Sequence, residues 1–482
     1  MCHELYLCHD APRADRQLTT DQQLTTDYGQ LTTPWWRTLN RYHWFVLVIA
    51  ALGWLFDCLD QQLFNAARVP AMRALLHTDD MKAVTAYGGY ATAIFLAGWA
   101  TGGLVFGMLG DRIGRAKTML WTILLYSLFT GLSALSAGFW DFSLYRFLTG
   151  LGVGGEFAVG VALVAEVMPD NARPYALGLL QALSTIGNVA AALVSMVLGW
   201  LEQNGNVPHG QSWRIMFLVG AVPAFLVVLI RRRLKEPERW QQLANRSPDA
   251  SGSARTHLGS YRELFTNPRW RKNAIIGFLL AFVGVVGLWG ILFFSLDLIR
   301  FVLNQSLVVQ GFSRAAISGK LGIWIGITLI LMNVGAFLGL YAFGPVAQKL
   351  GRKPAFAIAF LLALASTAAG FWFLNNRGDI FWLIPIMGFC QFALFSGYAI
   401  YFPELFPTRL RSTGTSFCYN VGRFVAALGP ITLGLLTSKV FAGYPDPLPL
   451  RYAGLSLCSV FLIGLLALPF APETRGQPLP EE

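Results

Sequence analysis

Charged residues are scarce in this sequence. Asp, Glu, Lys and Arg make up 13% of its 482 residues, whereas a soluble domain carries about 25%. Hydrophobic residues reach 55%, and the mean hydropathy is +0.50. A large soluble protein with an apolar core is therefore disfavoured, because apolar segments long enough to cross a bilayer recur along the chain.

The sequence also lacks the groups that most cofactor and enzyme chemistry needs. Its six cysteines and six histidines show no paired or ligand-like spacing, so we predict no disulfide and no metal site. There is no Walker string, and there is no set of nucleophile, base and oxyanion donors. We therefore expect a protein that is not an enzyme and that needs no cofactor.

What the sequence does have is about twelve continuous apolar segments of the length that a bilayer requires. Continuous rather than alternating hydrophobicity indicates helices instead of barrel strands. The predicted fold class is an all-α membrane protein with about 12 transmembrane helices in two pseudo-symmetric six-helix bundles. The predicted spans are 44–65, 86–109, 118–138, 141–165, 175–200, 214–231, 274–297, 321–343, 355–375, 381–402, 413–437 and 450–470.

Two short motifs recur half a chain apart. A basic turn at residues 107–117 matches one at 344–353, an offset of 237 positions (344 − 107). The pattern Glu-x-x-Pro-x-x-x-Arg at 166–173 returns at 404–411, an offset of 238 (404 − 166). Two matching halves built from membrane helices are typical of transporters.

The charged residues of these motifs have two interpretations, and both can hold. They form a gate that closes the inner surface when the cavity faces outward, or they fix the topology through their positive charge. Asp111 is expected to cap the start of the next helix or to pair with an arginine across the half-bundle. The candidate gating residues are Asp111, Arg112, Arg115, Arg352, Glu166, Arg173, Glu404 and Arg411.

Positive charge also sets the predicted orientation. The net charge of +11 would suit nucleic acid, but the basic residues gather in alternate loops, which is the positive-inside pattern. We therefore predict a monomeric, multi-pass protein of the cell membrane (inner or plasma membrane) with both termini in the cytoplasm. Its expected partners are the lipid bilayer and a small-molecule substrate, and not nucleic acid.

The same pattern divides the chain into five segments. Residues 1–40 are polar and read as a disordered cytosolic tail. A basic, Ser- and Pro-containing stretch at 232–272 reads as a cytosolic linker with a short helix near 237–244. The remaining segments are the N-terminal six-helix bundle (41–231), the C-terminal six-helix bundle (273–471) and a cytosolic C-terminal tail (472–482).

Four ionisable residues inside predicted spans are the candidates for proton coupling: Asp57, Asp60, Arg146 and Glu156. Each costs about 2.5–3.5 kcal/mol near the centre of a membrane helix. Asp57 and Asp60 share a helix face, and Arg146 reaches a similar depth from the opposite side of a core about 30 Å thick. An aspartate paired with arginine stays ionised, and it takes up a proton when the pair opens and the carboxylate is desolvated. A fixed structural ion pair is the alternative, and Glu156 either relays a proton or pairs with a neighbour.

An arginine near the middle of the eleventh span favours an anionic substrate. The guanidinium of Arg423 can form two parallel hydrogen bonds to a carboxylate; the alternative is an ion pair with Asp297 or Glu156. Other polar and aromatic residues within the spans either line the cavity or join helices. The candidates for substrate binding are Arg423, Asn420, Gln181, Asn188, Asn333, Gln391, Trp289 and Tyr398, with Tyr419 as a further aromatic.

A glycine-rich string in the fourth span matches the dinucleotide pattern G-x-G-x-x-G at Gly150, Gly152 and Gly155. The nucleotide interpretation requires a preceding strand and a βαβ unit. This string instead lies inside an apolar segment, so we predict a face where helices pack closely.

Several of these strings resemble the major facilitator superfamily, over residues 40–476. Residues 110–115 are similar to that family's loop between spans two and three, and 146–154 to its fourth-span string. Residues 237–240 and 472–476 resemble sugar-porter signatures, and in proton-coupled sugar porters the positions of Asp60 and Arg146 form an ion pair. Residues 404–414 and 420–423, and the first-span string 56–60, are similar to aromatic-acid/proton symporters and nicotinate-type transporters, although Cys58 replaces the usual glycine.

These observations predict a secondary active transporter that carries a small organic acid, aromatic or other carboxylate, together with a proton. The two halves would rock around a substrate bound at the midplane. A sugar or polyol:proton symporter is the alternative within the same class. A transporter-like nutrient receptor, which would bind its ligand without net flux, is the alternative of another class.

Overall fold

The computed structural model describes residues 34–208, 210–225, 230, 233–245, 258–292, 295–312, 314–426, 432–433 and 435–481. Throughout this part of the chain every regular element is helical, and nine helices are long and apolar enough to cross a membrane. The predicted all-α membrane fold is confirmed. The tail predicted at 1–40 lies almost wholly outside the described residues, which begin just before a short 3₁₀ turn at Trp35–Arg37.

Six helices form the first half. They are α1 (Arg41–Leu76), α2 (Met81–Ile113), α3 (Arg115–Ser133), α4 (Phe139–Val167), α5 (Arg173–Gln203) and α6 (Ser212–Gly220). The sixth predicted span continues past α6 into residues 226–229, which lie outside the described part. Two short helices follow in the linker, α7 (Glu238–Asn245) and α8 (Tyr261–Thr266), and α7 confirms the predicted surface helix.

The second half repeats this order with more interruptions. Its helices are α9 (Pro268–Val285), α10 (Ser295–Val309), α11 (Arg314–Leu350), α12 (Arg352–Phe373), α13 (Arg377–Leu405), α14 (Arg411–Ala426), α15 (Leu448–Leu457) and α16 (Val460–Ala467). A π-helical turn at Val286–Ile291 follows α9 directly. The last two helices together make one apolar span, Leu448–Phe470.

The two repeated turns have the same local structure. Each contains a glycine at positive φ, Gly114 at 113° and Gly351 at 103°, in a region of backbone space that essentially only glycine adopts. Each glycine precedes a helix whose first N–H groups donate to a distant carboxylate. Glu236 accepts from the start of α3, and Glu473 accepts from the start of α12. These glutamates are also 237 positions apart (473 − 236), so the repeat extends to the residues that cap the helices.

The glycine string of α4 packs against two neighbouring helices. A Cβ atom at Gly150 or Gly154 would meet the backbone of Trp99 in α2, and one at Gly152 would meet the backbone of Tyr126 in α3. The three helices can approach this closely only because these positions lack side chains. The predicted packing face is confirmed.

Candidate functional site

A small cavity lies between the two halves, near the middle of α1, α5 and α13. Its volume is about 80 Å³, whereas pockets that enclose drug-sized ligands begin at roughly 300 Å³. The site is therefore nearly closed in this conformation, and side chains must move before an organic molecule can enter. Its lining is Trp54, Asp57, Cys58, Gln61, Gln62, Trp99, Gln181, Ser184, Asn188, Leu288, Leu340, Phe392, Phe395, Tyr419 and Arg423.

Arg423 brings a positive charge into this cavity, held between two aromatic rings. Its guanidinium carbon lies 3.9 Å from the ring centre of Trp99 and 4.4 Å from that of Tyr419. Its Nη1 donates to Asn420 Oδ1 at 3.3 Å, and its Nε has no hydrogen-bond partner among the described residues. Cation–π contacts orient the guanidinium without using its donors. Arg423 is therefore fixed in place with donor capacity left for a ligand.

Asp297 is not the partner of Arg423, contrary to one of the predicted alternatives. It forms an ion pair with Arg300, at 2.7 Å, and both side chains are about half exposed. The reason is local: the two residues are three apart on α10, so they meet on the same helix face.

Asp57 brings a negative charge to the same cavity. Its side chain is 1% exposed, and neither carboxylate oxygen has a hydrogen-bond partner among the described residues. A buried carboxylate without partners is strongly unfavourable unless it is protonated or contacts a ligand. The position of Asp57 therefore calls for a proton or for a hydrogen-bond donor from a bound molecule.

Asp60 has a different environment, although it lies one turn further along α1. Its Oδ2 lies 3.5 Å from Nη1 of Arg146, and its Oδ1 accepts a hydrogen bond of 2.8 Å from the Thr130 hydroxyl. Arg146 also donates to Ser133 and Thr149, and both charged side chains are fully buried. The expected contact between Asp60 and Arg146 is present. The structure separates the two aspartates, because three residues of helix turn their side chains by about 60°.

Glu156 is buried behind the cavity and does not line it. The hydroxyl of Thr122 lies 3.3 Å from its Oε2, and Oε1 occupies the space that a Cβ atom on Gly53 would fill. The carboxyl group is therefore enclosed by α1, α3 and α4, one turn of α1 away from Asp57. Its predicted part in proton coupling stays a prediction.

Two of the predicted substrate residues line the cavity and also join the halves. The amide of Gln181 donates to the backbone oxygen of Phe395 at 3.1 Å. The amide of Asn188 donates to Asn333 Oδ1 at 2.9 Å. Asn333 completes this link from α11 and does not itself line the cavity. These amides hold α5 against the second half, so ligand binding and separation of the halves involve the same groups.

Three other predicted substrate residues do not reach the cavity. Asn420 is fully buried and bonds to Ser416 and Arg423, so it orients the arginine. Gln391 donates to Thr367 within the second half, and the hydroxyl of Tyr398 donates to the backbone oxygen of Leu280 at 2.7 Å. Polar groups inside a helical bundle satisfy one another when a partner is near. The side chain of Trp289 lies outside the part that the structure describes.

Several lining residues were missed from the sequence. Gln61 and Gln62 follow Asp60 directly, and polar residues inside an apolar span were a usable signal. Trp99, Phe392 and Phe395 gave no signal, because aromatic residues also serve as packing throughout membrane helices. Only the folded bundle shows which of them face the cavity.

The cavity is closed at the end of the bundle where the two repeated turns lie, here called the basic face. Asp111, at the end of α2, accepts from the backbone N–H groups of Ser412 (3.1 Å) and Thr413 (2.8 Å) at the start of α14. It also forms an ion pair of 3.0 Å with Arg115. Asp111 thus pairs with an arginine, but its partner is the neighbouring Arg115, four residues on, and not an arginine across the half-bundle. The predicted cap on the next helix is wrong, because Glu236 takes that place on α3 and Asp111 caps a helix of the other half.

Glu166 is the centre of the same closure. Its Oε1 lies 3.0 Å from Arg115 of its own half and 2.7 Å from Arg411 of the other half. All three side chains are fully buried. One carboxylate thus serves as the partner of two buried arginines, without water between them. Opening the basic face requires this link to break.

The remaining predicted gating residues make separate contacts. Arg352 binds Glu404 with 2.7 Å between Nη2 and Oε1, within the second half. Arg173 pairs with Asp170 in its own loop instead of crossing to the second half. Arg112 donates to the backbone oxygen of Leu258 in the linker at 3.1 Å. Among the predicted gating residues, Asp111, Arg115, Glu166 and Arg411 make side-chain contacts that join the two halves; Arg115 does so by donating to the backbone oxygen of Thr408 at 2.5 Å.

Comparison with known proteins gives a consistent result. Residues 44–430 match the family model of the Major Facilitator Superfamily. The chain is 32% identical over 443 residues, 92% of it and 99% of the relative, to a protein of Haemophilus influenzae named as a metabolite transport protein. It is 30% identical over 358 residues, 73% of it and 79% of the relative, to the cis,cis-muconate transport protein of Acinetobacter baylyi. The solved structure of the proton:xylose symporter XylE shares its fold, with a TM-score of 0.67, 18% identity and coverage of 91% and 98%.

Proposed function

Since the chain belongs to the Major Facilitator Superfamily, we propose that this transport protein carries a small organic acid across the membrane together with a proton. The observation that carries the proposal is Arg423, which lines a cavity between the halves and whose Nε has no hydrogen-bond partner in the described part of the chain. A guanidinium held in this way suits a carboxylate, because the fork of N–H donors matches the two carboxylate oxygens.

The aromatic residues around Arg423 support an acid that also has a flat apolar part. Trp54, Trp99, Phe392, Phe395 and Tyr419 line the cavity, and they offer ring faces to an unsaturated or aromatic skeleton. One relative is named for cis,cis-muconate, an unsaturated dicarboxylate. This chemistry agrees with the cavity, so the proposed substrate class is unsaturated or aromatic carboxylates.

Asp60 and Arg146 are the proposed site of proton coupling. In this conformation Asp60 lies 3.5 Å from Arg146, its counter-charge. If the pair separates as the halves move, the buried aspartate loses its counter-charge and takes up a proton. Binding of the proton is thereby linked to which face of the membrane the cavity meets.

The proposed orientation places the basic face in the cytoplasm of a cell membrane, with both termini on that side. The support is the concentration of Lys and Arg in the loops on this side. In this orientation the structure is closed to the cytoplasm by Asp111 and Glu166.

A sugar or polyol is the second candidate substrate. Four carboxamide side chains line the cavity, those of Gln61, Gln62, Gln181 and Asn188, and amides pair well with hydroxyl groups. The likeness to a xylose symporter adds nothing to this candidate, because at 18% identity it bears on the fold alone.

Transport by purified protein in liposomes tests the proposal. We expect Asp60→Asn to abolish accumulation of a carboxylate driven by a pH gradient, because the side chain can no longer take up a proton. Exchange of labelled for unlabelled substrate should continue, because it needs no net proton movement. Asp297→Asn is the matched control, since this aspartate lies in an exposed pair on α10 and should leave accumulation unchanged.

Three results would contradict the proposal. Full accumulation by Asp60→Asn would remove this residue from coupling. Uptake of hexoses in preference to muconate and benzoate would favour the sugar candidate. Specific binding with no flux by the native protein would instead indicate a receptor.

A further inference from the structure

Three hydroxyl side chains lie one above the other on α3. Thr122, Tyr126 and Thr130 are spaced four residues apart, so they share one helix face. All three are completely buried. This hydroxyl stripe (Thr122, Tyr126 and Thr130) faces α1 and α4 and is separate from the lining of the cavity. A row of buried hydroxyls in a membrane helix is unfavourable unless it meets other polar groups.

The two ends of the hydroxyl stripe contact two buried carboxyl groups. The Thr130 hydroxyl donates to Asp60 at 2.8 Å, and the Thr122 hydroxyl lies 3.3 Å from Glu156. Eight residues of helix separate the two threonines, which is about 12 Å along the axis. The two carboxyl groups are therefore too far apart for direct proton transfer, and Thr122 is the end nearer the basic face.

Thr122 can serve Glu156 in either protonation state. Its hydroxyl oxygen lies 2.9 Å from the backbone oxygen of Met119 and 3.3 Å from Glu156 Oε2, but it has a single proton. When Glu156 is ionised, Thr122 donates to it. When Glu156 is protonated, it donates to Thr122, whose own proton then turns to Met119. This side chain therefore accommodates both forms without rearrangement of the helices.

Tyr126 lies between the two ends. Its hydroxyl is buried and has no hydrogen-bond partner among the described residues. It lies one helical turn from Thr122, which contacts Glu156, and one turn from Thr130, which contacts Asp60. Gly152 of α4 packs against the backbone and Cβ of Tyr126, so α3 and α4 are in close contact at this residue. A buried phenol without a partner is unfavourable, and a hydrogen bond to a carboxyl group or to a water molecule between the carboxyl groups removes this cost.

We propose that the hydroxyl stripe of α3 carries the coupling proton between Asp60 and Glu156, with the Tyr126 phenol as the intermediate donor and acceptor. This inference rests on the proposed proton coupling and adds the path. In the inward step, the O–H bond of protonated Asp60 breaks and the phenol oxygen accepts that proton. The phenol's own proton passes to the Thr122 hydroxyl, whose proton in turn passes to the Glu156 carboxylate, so both hydroxyl groups are unchanged and Asp60 is left ionised beside Arg146. The other charged groups near this path are Arg146, which pairs with Asp60, and Asp57, which is buried one turn from Asp60 on α1.

The test compares Tyr126→Phe, which removes one hydroxyl, with the native protein in liposomes. Proton entry is followed with a trapped pH-sensitive dye, and uptake of labelled muconate or benzoate is followed in parallel. We expect the number of protons moved per substrate to fall at least tenfold, while substrate exchange stays within twofold of native. Thr122→Val should give the same pattern, since it disconnects Glu156.

Thr118→Val is the matched control. Thr118 lies one turn before Thr122, is equally buried, and donates only to the backbone oxygen of Gly114 (2.7 Å). It should keep the native ratio of protons to substrate. Thermal unfolding checks that each variant is folded; if Tyr126→Phe fails to fold, Thr122→Val alone decides.

The outcomes separate this inference from the proposed function. A native proton-to-substrate ratio in both Tyr126→Phe and Thr122→Val would overturn the path while proton coupling stands. Substrate flux by the native protein without any proton movement would overturn coupling itself and the path with it. Loss of coupling in Thr118→Val as well would also overturn the path, because it would make the effect a general response of α3.

Discussion

At the scale of single residues, the decisive feature is how Arg423 is held. Arg411 is a fully buried arginine whose donors are occupied. It bonds to Glu166, Thr408, Pro403 and Pro480. Arg423 is instead held by two aromatic faces and one amide oxygen. Ring faces stabilise a cation without neutralising it, so its charge remains available to a ligand.

Arg423→Ala should weaken carboxylates selectively. A hydrogen bond to a charged group contributes about 1.5–3 kcal/mol, so Kd for an acid should rise by roughly 10- to 150-fold. The corresponding neutral amide should bind about as before. Thermal-shift titrations or calorimetry with both ligands measure the two effects, and Arg300→Ala, at an exposed pair on α10, is the control. An equal loss for acid and amide would make Arg423 a structural residue.

At the scale of helices, carboxylates from distant segments fix where spans begin. Glu236 caps α3, Glu473 caps α12 and Asp111 caps α14. The first N–H groups of a helix lack partners within it and carry partial positive charge, so an anion there is stabilising. Burial by itself raises the pKa of Glu473, but the N–H groups of Arg352, Lys353, Arg475 and Thr474 more than offset this, so its pKa lies below the ordinary value of 4.5.

Glu473→Gln should therefore lower thermal stability in a pH-dependent way. The native carboxylate has a lowered pKa when folded, so its contribution is fully present above pH 4.5 and is lost as the pH falls through the folded-state pKa. At pH 7 we expect the variant to lose about 1 kcal/mol of stability. The difference in Tm from the native protein should narrow below pH 4, as Glu473 itself becomes protonated. A Tm difference that does not change with pH would argue against charge as the cause.

At the scale of the whole molecule, the two halves are similar but their contacts at the basic face are not symmetric. The position that corresponds to Asp111, 237 residues further on, is Gln348, and Arg352 donates to it at 3.2 Å. An uncharged amide there stays within its own half, whereas Asp111 crosses to α14. In the same way Arg411 crosses to Glu166, while Arg173 remains with Asp170. The first half thus supplies the acids of the closure, and the second supplies Arg411 and the start of α14.

Glu166→Gln should shift the protein towards conformations open at the basic face. Removing one member of a buried ion network destabilises the state that contains it by about 3–5 kcal/mol, which is enough to change which state dominates. Spin labels at Lys117 and Lys349, in a cysteine-free background, report the distance between the halves at this face. We expect the longer-distance population to grow.

The control for this measurement is Glu238→Gln, a change at an exposed glutamate of the linker helix α7. It should leave the distance distribution unchanged. An unaltered distribution in Glu166→Gln would show that the closure does not depend on this carboxylate.

The sequence by itself determined the helical membrane fold, the two halves and the turns that begin α3 and α12. These features follow from local physics: hydrophobic length sets the spans, and Gly114 and Gly351 adopt backbone angles that other residues avoid. It also placed Asp60 and Arg146 at a common depth, because helix rise converts residue number into distance. The buried charges were visible because each is too unfavourable in lipid to be there without a reason.

Only the tertiary structure decided which of these groups meet. Asp57 and Asp60 are three residues apart, yet one faces the cavity and the other faces Arg146. Asp111 and Thr413, 302 residues apart, are joined in a contact that no local pattern encodes. Asn420, Gln391 and Tyr398 turned away from the cavity because partners were available inside the bundle. The direction of a side chain depends on how each helix is rotated against its neighbours, and that rotation is set by packing over the whole molecule.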